Sequence, residues 1–107
     1  MEKLAFLTPE QVLAIREAFG TPVFVYDERT LLRRASEVLA FPNAFGFTAR
    51  YAMKACPTRA IVQVLHRAGL LIDASSGYEA QRAMLAGVPA EHIQITAQET
   101  PKDLADL

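Results

Sequence analysis

An α/β fold, with parallel strands alternating with helices, is what this sequence predicts, on three observations. Short β-rich runs recur between amphipathic stretches, at a spacing that suits β/α units. Glycine closes several of those stretches, at Gly20, Gly69 and Gly87. The central runs, such as Leu70-Leu71-Ile72, are apolar without strict alternation, as strands covered on a face by helices tend to be.

The elements follow in order. Thr8 is placed to cap a helix that begins at Pro9, and Gln11 to close a capping box. Val12, Ile15, Ala18 and Phe19 make its apolar face. Pro22 to Tyr26 reads as a short strand, after which Asp27 caps a helix from Glu28 to about Leu39. Leu31, Leu32, Ala35, Val38 and Leu39 form the stripe expected to be buried. Phe45 to Met53 is predicted as a strand, Thr58 to Ala68 as a helix and Leu70 to Ala74 as a second strand. A helix from Gly77 to Ala86 and a strand from His92 to Thr96 follow, and Thr100-Pro101-Lys102-Asp103 opens another helix. The alternation implies right-handed βαβ units. The expected division is an N-terminal helix and short strand over 1–26, then the first β/α units of a barrel over 27–107. Such units cannot close a barrel, which takes eight and typically about 250 residues. The chain therefore reads as the N-terminal portion of a larger protein, the alternative being a complete small three-strand domain.

Composition narrows the class. Of 107 residues 51% are hydrophobic, and 11 Lys+Arg stand against 12 Asp+Glu, a balance that gives no basic surface for nucleic acid or anionic membrane. The apolar runs are too short to span a bilayer and the first twenty residues lack a signal-peptide core. One cysteine, Cys56, excludes an internal disulfide and fits a reducing, cytoplasmic setting. No cluster of metal-ligating residues stands out.

Lys54 carries the chemistry. Alternation along Phe47–Lys54 puts Thr48, Arg50, Ala52 and Lys54 on one face, and Phe47, Ala49, Tyr51 and Met53 beneath the helices. Lys54 is then the last inward residue of its strand, at the carboxyl face where barrel sites are built. Ala52 below it is small and leaves room for a flat ring. A lysine amine, ordinarily protonated up to a pH of about 10.4, must be neutral to attack an aldehyde, and burial favours that form. Taken alone, Lys54 reads more readily as a stem snorkelling to water. Arg50 points inward by parity and needs a partner, for which Asp73 is the visible acid.

Four segments in register resemble one family: Gly20-Thr21-Pro22-Val23-Phe24-Val25-Tyr26-Asp27, Tyr51-Ala52-Met53-Lys54-Ala55, Asp73-Ala74-Ser75-Ser76-Gly77-Tyr78-Glu79, and Ala86-Gly87-Val88-Pro89 with His92-Ile93. They are similar to the fold-type III decarboxylases dependent on pyridoxal 5′-phosphate (PLP). Within that group the likeness runs to the diaminopimelate decarboxylases of lysine biosynthesis, with ornithine and carboxynorspermidine decarboxylases as relatives. The resemblance implies a PLP-binding (β/α)8 barrel of the alanine racemase type followed by a β-domain, and a cytoplasmic homodimer. It implies α-decarboxylation of a small amino acid, with Lys54 as the catalytic residue that forms a Schiff base with PLP. Ala52, Asp73 and Ser76 match cofactor-binding positions and Glu79 a supporting one, while Arg50 is read as supporting from its strand parity alone.

Two departures stand out. Cys56 replaces the asparagine usual after Lys-Ala, and Tyr78 a common glycine. A buried, inert thiol is the plainer reading of Cys56. His66 and His92 are assigned no role. No glycine-rich phosphate loop and no acid for the pyridine nitrogen is identifiable, so these residues by themselves are not expected to be catalytically competent. Among other readings, alanine racemase fits less well because Cys56-Pro57-Thr58 follows the lysine, and a non-catalytic PLP carrier is disfavoured by the presence of Lys54. A short interaction module from a truncated gene is the remaining alternative.

Overall fold

The computed structural model describes residues 5–106. Helix α1 spans Pro9–Phe19 and α2 Glu28–Leu39; β1 is Arg50–Ala52, α3 Arg59–Arg67, β2 Leu71–Ala74, α4 Gly77–Leu85 and β3 Ile93–Ile95. The strands form one parallel sheet in the order β1-β2-β3. Ala52 pairs with Asp73 and Asp73 with Gln94; on the opposite face Tyr51 pairs with Ile72 and Ile72 with Ile93.

The start of α1 follows its local chemistry. Thr8 Oγ1 accepts from the Gln11 amide at 3.2 Å while Gln11 Oε1 accepts from the Thr8 amide at 2.9 Å, satisfying two amides that the first helical turn leaves open. Gly20, at φ +76°, ends the helix in a conformation side chains rarely adopt. Asp27 begins α2 but caps no backbone amide, accepting instead from the Thr30 hydroxyl. At the end of α3, Gly69 turns at φ +112°, and a Cβ there would stand 3.2 Å from Leu39 Cδ1. The glycine therefore serves both the turn and the close approach of α2.

Two apolar clusters hold the layer together. Met53, Val62, Ile72, Ala74, Ala80, Ala83, Ala86 and Val88 fill the space between the sheet and helices α3 and α4. Ala35, Ile61, Leu65 and Leu70 join α2 to α3 and the start of β2. Tyr51 packs against both clusters. The parity expected of the first strand holds, since Ala49, Tyr51 and Met53 turn toward the helices and Met53 is fully buried. The other face of the sheet, carrying Arg50, Ala52, Asp73 and Gln94, has no helix over it among the described residues.

Several expectations are corrected. The first strand covers Arg50–Ala52 instead of Phe45–Met53, because it pairs only with β2, whose ladder begins at Leu71. One further backbone bond, from the Leu71 amide to the Ala49 carbonyl, prolongs the contact. Residues 22–26 form no strand and join no sheet, Pro22 lying in a bend. Leu32, Val38 and Leu39 are exposed, so only Ala35 of the α2 stripe is buried, with Leu31 partly so. The α1 stripe buries nothing, and Phe19 is 76% exposed. The helix expected from Thr100 is a 3-10 turn at Leu104–Asp106 with no buried residue to hold it.

His66 and His92 also meet: His66 Nε2 and His92 Nδ1 are 2.9 Å apart, joining the end of α3 to the residue before β3. The sequence reading had given them no contact. Nothing in their separate positions brings them together until β3 is laid beside β2.

Candidate active site

Lys54 lies one step beyond its predicted position. β1 ends at Ala52, and a 3-10 turn, Met53–Ala55, carries the lysine past the carboxyl end of the strand. The buried Met53 side chain roots the turn in the core, while Lys54 is exposed and has no ion pair among the described residues. The burial expected of Lys54 is therefore not supplied, because no helix among the described residues covers this face of the sheet. Ala52 and Asp73 stand side by side in register on that face. Asp73 Oδ1 accepts a 2.6 Å hydrogen bond from the Thr96 hydroxyl, which fixes the carboxylate from the next strand.

Ser76 caps α4, its Oγ accepting from the Glu79 amide at 3.2 Å. Glu79 Oε2 in turn accepts from the Ser75 amide and the Ser75 hydroxyl, both at 2.7 Å. The serine and glutamate thus lock the β2–α4 turn by reciprocal capping, one residue longer than the usual box. Ser76→Ala is expected to cost about 1 kcal/mol of stability, a typical loss for an N-cap, read from the shift in denaturant midpoint. An unchanged midpoint would show that the Glu79 contacts hold the turn unaided. Tyr78 is 82% exposed and lines a surface depression with Ser75, Ser76, Glu99 and Lys102, so it sits at the rim and not in the core.

Arg50 does not pair with Asp73. Its Nη1 donates to two backbone carbonyls, of His92 at 3.3 Å and Ile72 at 3.4 Å. Register explains this: Arg50 lies opposite Leu71, one same-face row below the Ala52–Asp73 pair. The arginine ties β1 to β2 and to the residue before β3, a contact strand parity alone could not reveal.

The thiol of Cys56 is half-buried, with the Thr58 hydroxyl at 3.4 Å and that of Tyr26 at 3.5 Å. Hydrogen bonding with the Thr58 hydroxyl, then with that of Tyr26, lowers the Cys56 pKa below the usual thiol value. The same contact with Cys56, together with the charge the sulfur can carry, raises the Tyr26 pKa. Burial is the chief cause of a raised pKa at Tyr51, whose hydroxyl donates to the Cys56 carbonyl at 2.9 Å. The cysteine, expected to be buried, is thus only partly so. A depressed thiol pKa means thiolate persisting to lower pH. The rate of iodoacetamide labelling at Cys56 should therefore reach half its plateau below the ordinary thiol midpoint, and Thr58→Val should raise that midpoint. A profile unmoved by the substitution would discard the hydroxyl as its cause.

Sequence reasoning passed over Thr96 and Tyr51. Thr96 was recoverable, since it falls two residues after Gln94 and so shares the face of Asp73. Tyr51 gave no signal beyond its place beneath the helices.

The carboxyl edge of the parallel sheet thus carries the Ala52–Asp73 pair, with the Asp73 carboxylate held by Thr96 and an exposed lysine in the turn that follows β1. The sequence model described as "Pyridoxal-dependent decarboxylase, pyridoxal binding domain" matches residues 30–105. The chain belongs to this family of PLP-dependent decarboxylases, and the part matched is the one that binds the cofactor. Among similar proteins, diaminopimelate decarboxylase of Bacillus subtilis (strain 168) is 40% identical over 86 residues, 76% of this chain and 19% of that protein. Diaminopimelate decarboxylase of Escherichia coli (strain K12) is 33% identical over 81 residues, 76% of this chain and 18% of that protein. Protein TabA of Pseudomonas amygdali pv. tabaci is 32% identical over 87 residues, 80% of this chain and 20% of that protein. The chain thus spans about a fifth of the length of the curated relatives it matches. No helix among the described residues is long and apolar enough to cross a membrane.

Proposed function

We propose that the protein carrying this chain decarboxylates an amino acid, meso-diaminopimelate to lysine, with PLP held at Lys54. The observation that carries this reading is the Ala52–Asp73 pair with Lys54 beyond it at the carboxyl edge of the sheet. The diaminopimelate decarboxylases among its relatives support the choice of substrate.

The residues present fit the cofactor. Lys54 offers a primary amine, the group suited to Schiff-base formation with an aldehyde. Ala52, paired with Asp73, puts only a methyl group on this face of the sheet. Asp73 keeps one oxygen, Oδ2, beyond the Thr96 bond to receive a donor. The Ser76 hydroxyl accepts from Glu79 and retains its own proton to donate.

Bound PLP supplies the electron sink that lets carbon dioxide leave. Lys54 would hold the cofactor through its amine and, when not so engaged, carry a proton at Nζ. Asp73 and Ser76 would orient the cofactor, Glu79 keeps the Ser75–Ser76 turn closed, and Arg50 ties β1 to β2 and to the turn before β3. The exposed Phe19, Phe24 and Phe45 support a further expectation, that partner surfaces cover this side and that the full protein is a homodimer.

The test is release of carbon dioxide by the full-length protein from meso-diaminopimelate, ornithine and carboxynorspermidine, with PLP supplied. Turnover confined to meso-diaminopimelate supports the reading. A preference for either other substrate replaces the substrate assignment, and no turnover on any of them rejects it.

A further inference from the structure

We infer that Tyr51 is a positioning residue for Lys54, an inference that rests on the role proposed for that lysine. The turn Met53–Ala55 is fastened on both sides of the lysine. Before it, Met53 is fully buried in the cluster between the sheet and α3 and α4. After it, the carbonyl of Cys56, the residue that caps the turn, accepts the 2.9 Å hydrogen bond of the Tyr51 hydroxyl. Tyr51 cannot follow a shift of the turn, because it sits in the middle of β1 and its ring packs against both apolar clusters. The next residue is held as well: the Pro57 carbonyl accepts from Arg82 Nη2 of α4 at 3.4 Å.

The hydroxyl thus connects the rigid centre of the strand to the far end of a short turn, and Lys54 lies between two anchored neighbours. Its backbone is fixed while its side chain stays exposed. This division suits a group that must present an amine to a ligand at a constant height above Ala52. Tyr51→Phe removes the hydroxyl and leaves the ring, so the core contacts persist while the Cys56 carbonyl loses its partner. The turn then gains freedom, and the Nζ of Lys54 spends less time where the ligand meets it. A misplacement of about 1 Å can cost on the order of a hundredfold in rate.

The experiment compares rates of PLP attachment in full-length wild type, Tyr51→Phe and Tyr26→Phe. Each is exposed briefly to PLP, reduced with borohydride and mapped by peptide mass, with Lys102 as an internal reference for exposed lysines. The expected result is a loss of about tenfold or more at Lys54 in Tyr51→Phe. Lys102 labelling and the melting temperature should stay close to wild type. Tyr26→Phe, which touches the thiol and not the carbonyl, should label Lys54 at nearly the wild-type rate. Equal Lys54 rates in wild type and Tyr51→Phe overturn the inference and leave the proposed function standing. A wild-type protein that takes no label at Lys54 overturns both. If Tyr51→Phe does not fold, hydrogen exchange on the wild type before PLP addition decides. Slow exchange of the amides of residues 54–56 supports a pre-fixed turn, and exchange at the rate of an open loop overturns it.

Discussion

Replacing Lys54 with alanine is expected to abolish both PLP attachment and decarboxylation in the full-length protein while leaving the fold intact. The side chain is exposed and makes no ion pair among the described residues, so its removal uncovers no buried charge and opens no cavity. Its backbone stays rooted by Met53, which alanine at position 54 does not disturb. The loss falls on chemistry, because no other side chain on this edge of β1 is a primary amine. Intact mass after borohydride reduction is the direct readout: the wild type gains an adduct of PLP size at Lys54 and the variant does not. Turnover should fall by several orders of magnitude, since covalent attachment and product release both depend on this amine. A variant that still decarboxylates at a tenth of the wild-type rate would mean that another residue does this work.

The second large effect is on stability. Ile72 is completely buried at the centre of β2, paired with Tyr51 on one side and Ile93 on the other. Ile72→Ala removes three carbons from the middle of the sheet, where neighbours on both flanking strands are held by backbone ladders and cannot collapse into the gap. The expected cost is about 2–5 kcal/mol, toward the upper end if the cavity stays open. Chemical denaturation should show a lower midpoint with an unchanged slope. A loss under about 1 kcal/mol would mean that the helices above relax into the space, and that the layer is less rigid than its burial implies. The substitution also lies next to Asp73, so PLP attachment to Lys54 should weaken with stability, not independently of it.

Much of the fold was legible because local chemistry decided it. Thr8, Pro9 and Gln11 write a helix start that needs no tertiary contact, and the structure builds it as expected. Parity along the first strand was equally readable: a period of two assigns Ala49, Tyr51 and Met53 to one face wherever the strand ends. Strand length was not readable from propensity. Phe45 to Ala49 are as β-prone as Arg50 to Ala52, but a ladder extends only as far as its neighbour, and β2 begins at Leu71. Residues 22–26 likewise form no strand in the structure. Burial of α1 and most of the α2 stripe failed as an expectation because amphipathicity states which face wants cover and not whether cover is present.

At the site, the sequence by itself determined which groups are available. It set the amine at Lys54, the small floor at Ala52, the acid at Asp73 and the Ser76–Glu79 cap, since spacing along two strands and one turn places each within its own element. Only the tertiary structure decided what each group touches. It put Ala52 beside Asp73, gave Asp73 the Thr96 hydroxyl, turned Arg50 onto the carbonyls of Ile72 and His92, and fastened the lysine turn through Tyr51 and Cys56. The reason is geometric: periodicity along a chain fixes the direction of a side chain relative to its own backbone. A hydrogen-bond partner is fixed by the register between segments many residues apart, and packing sets that register.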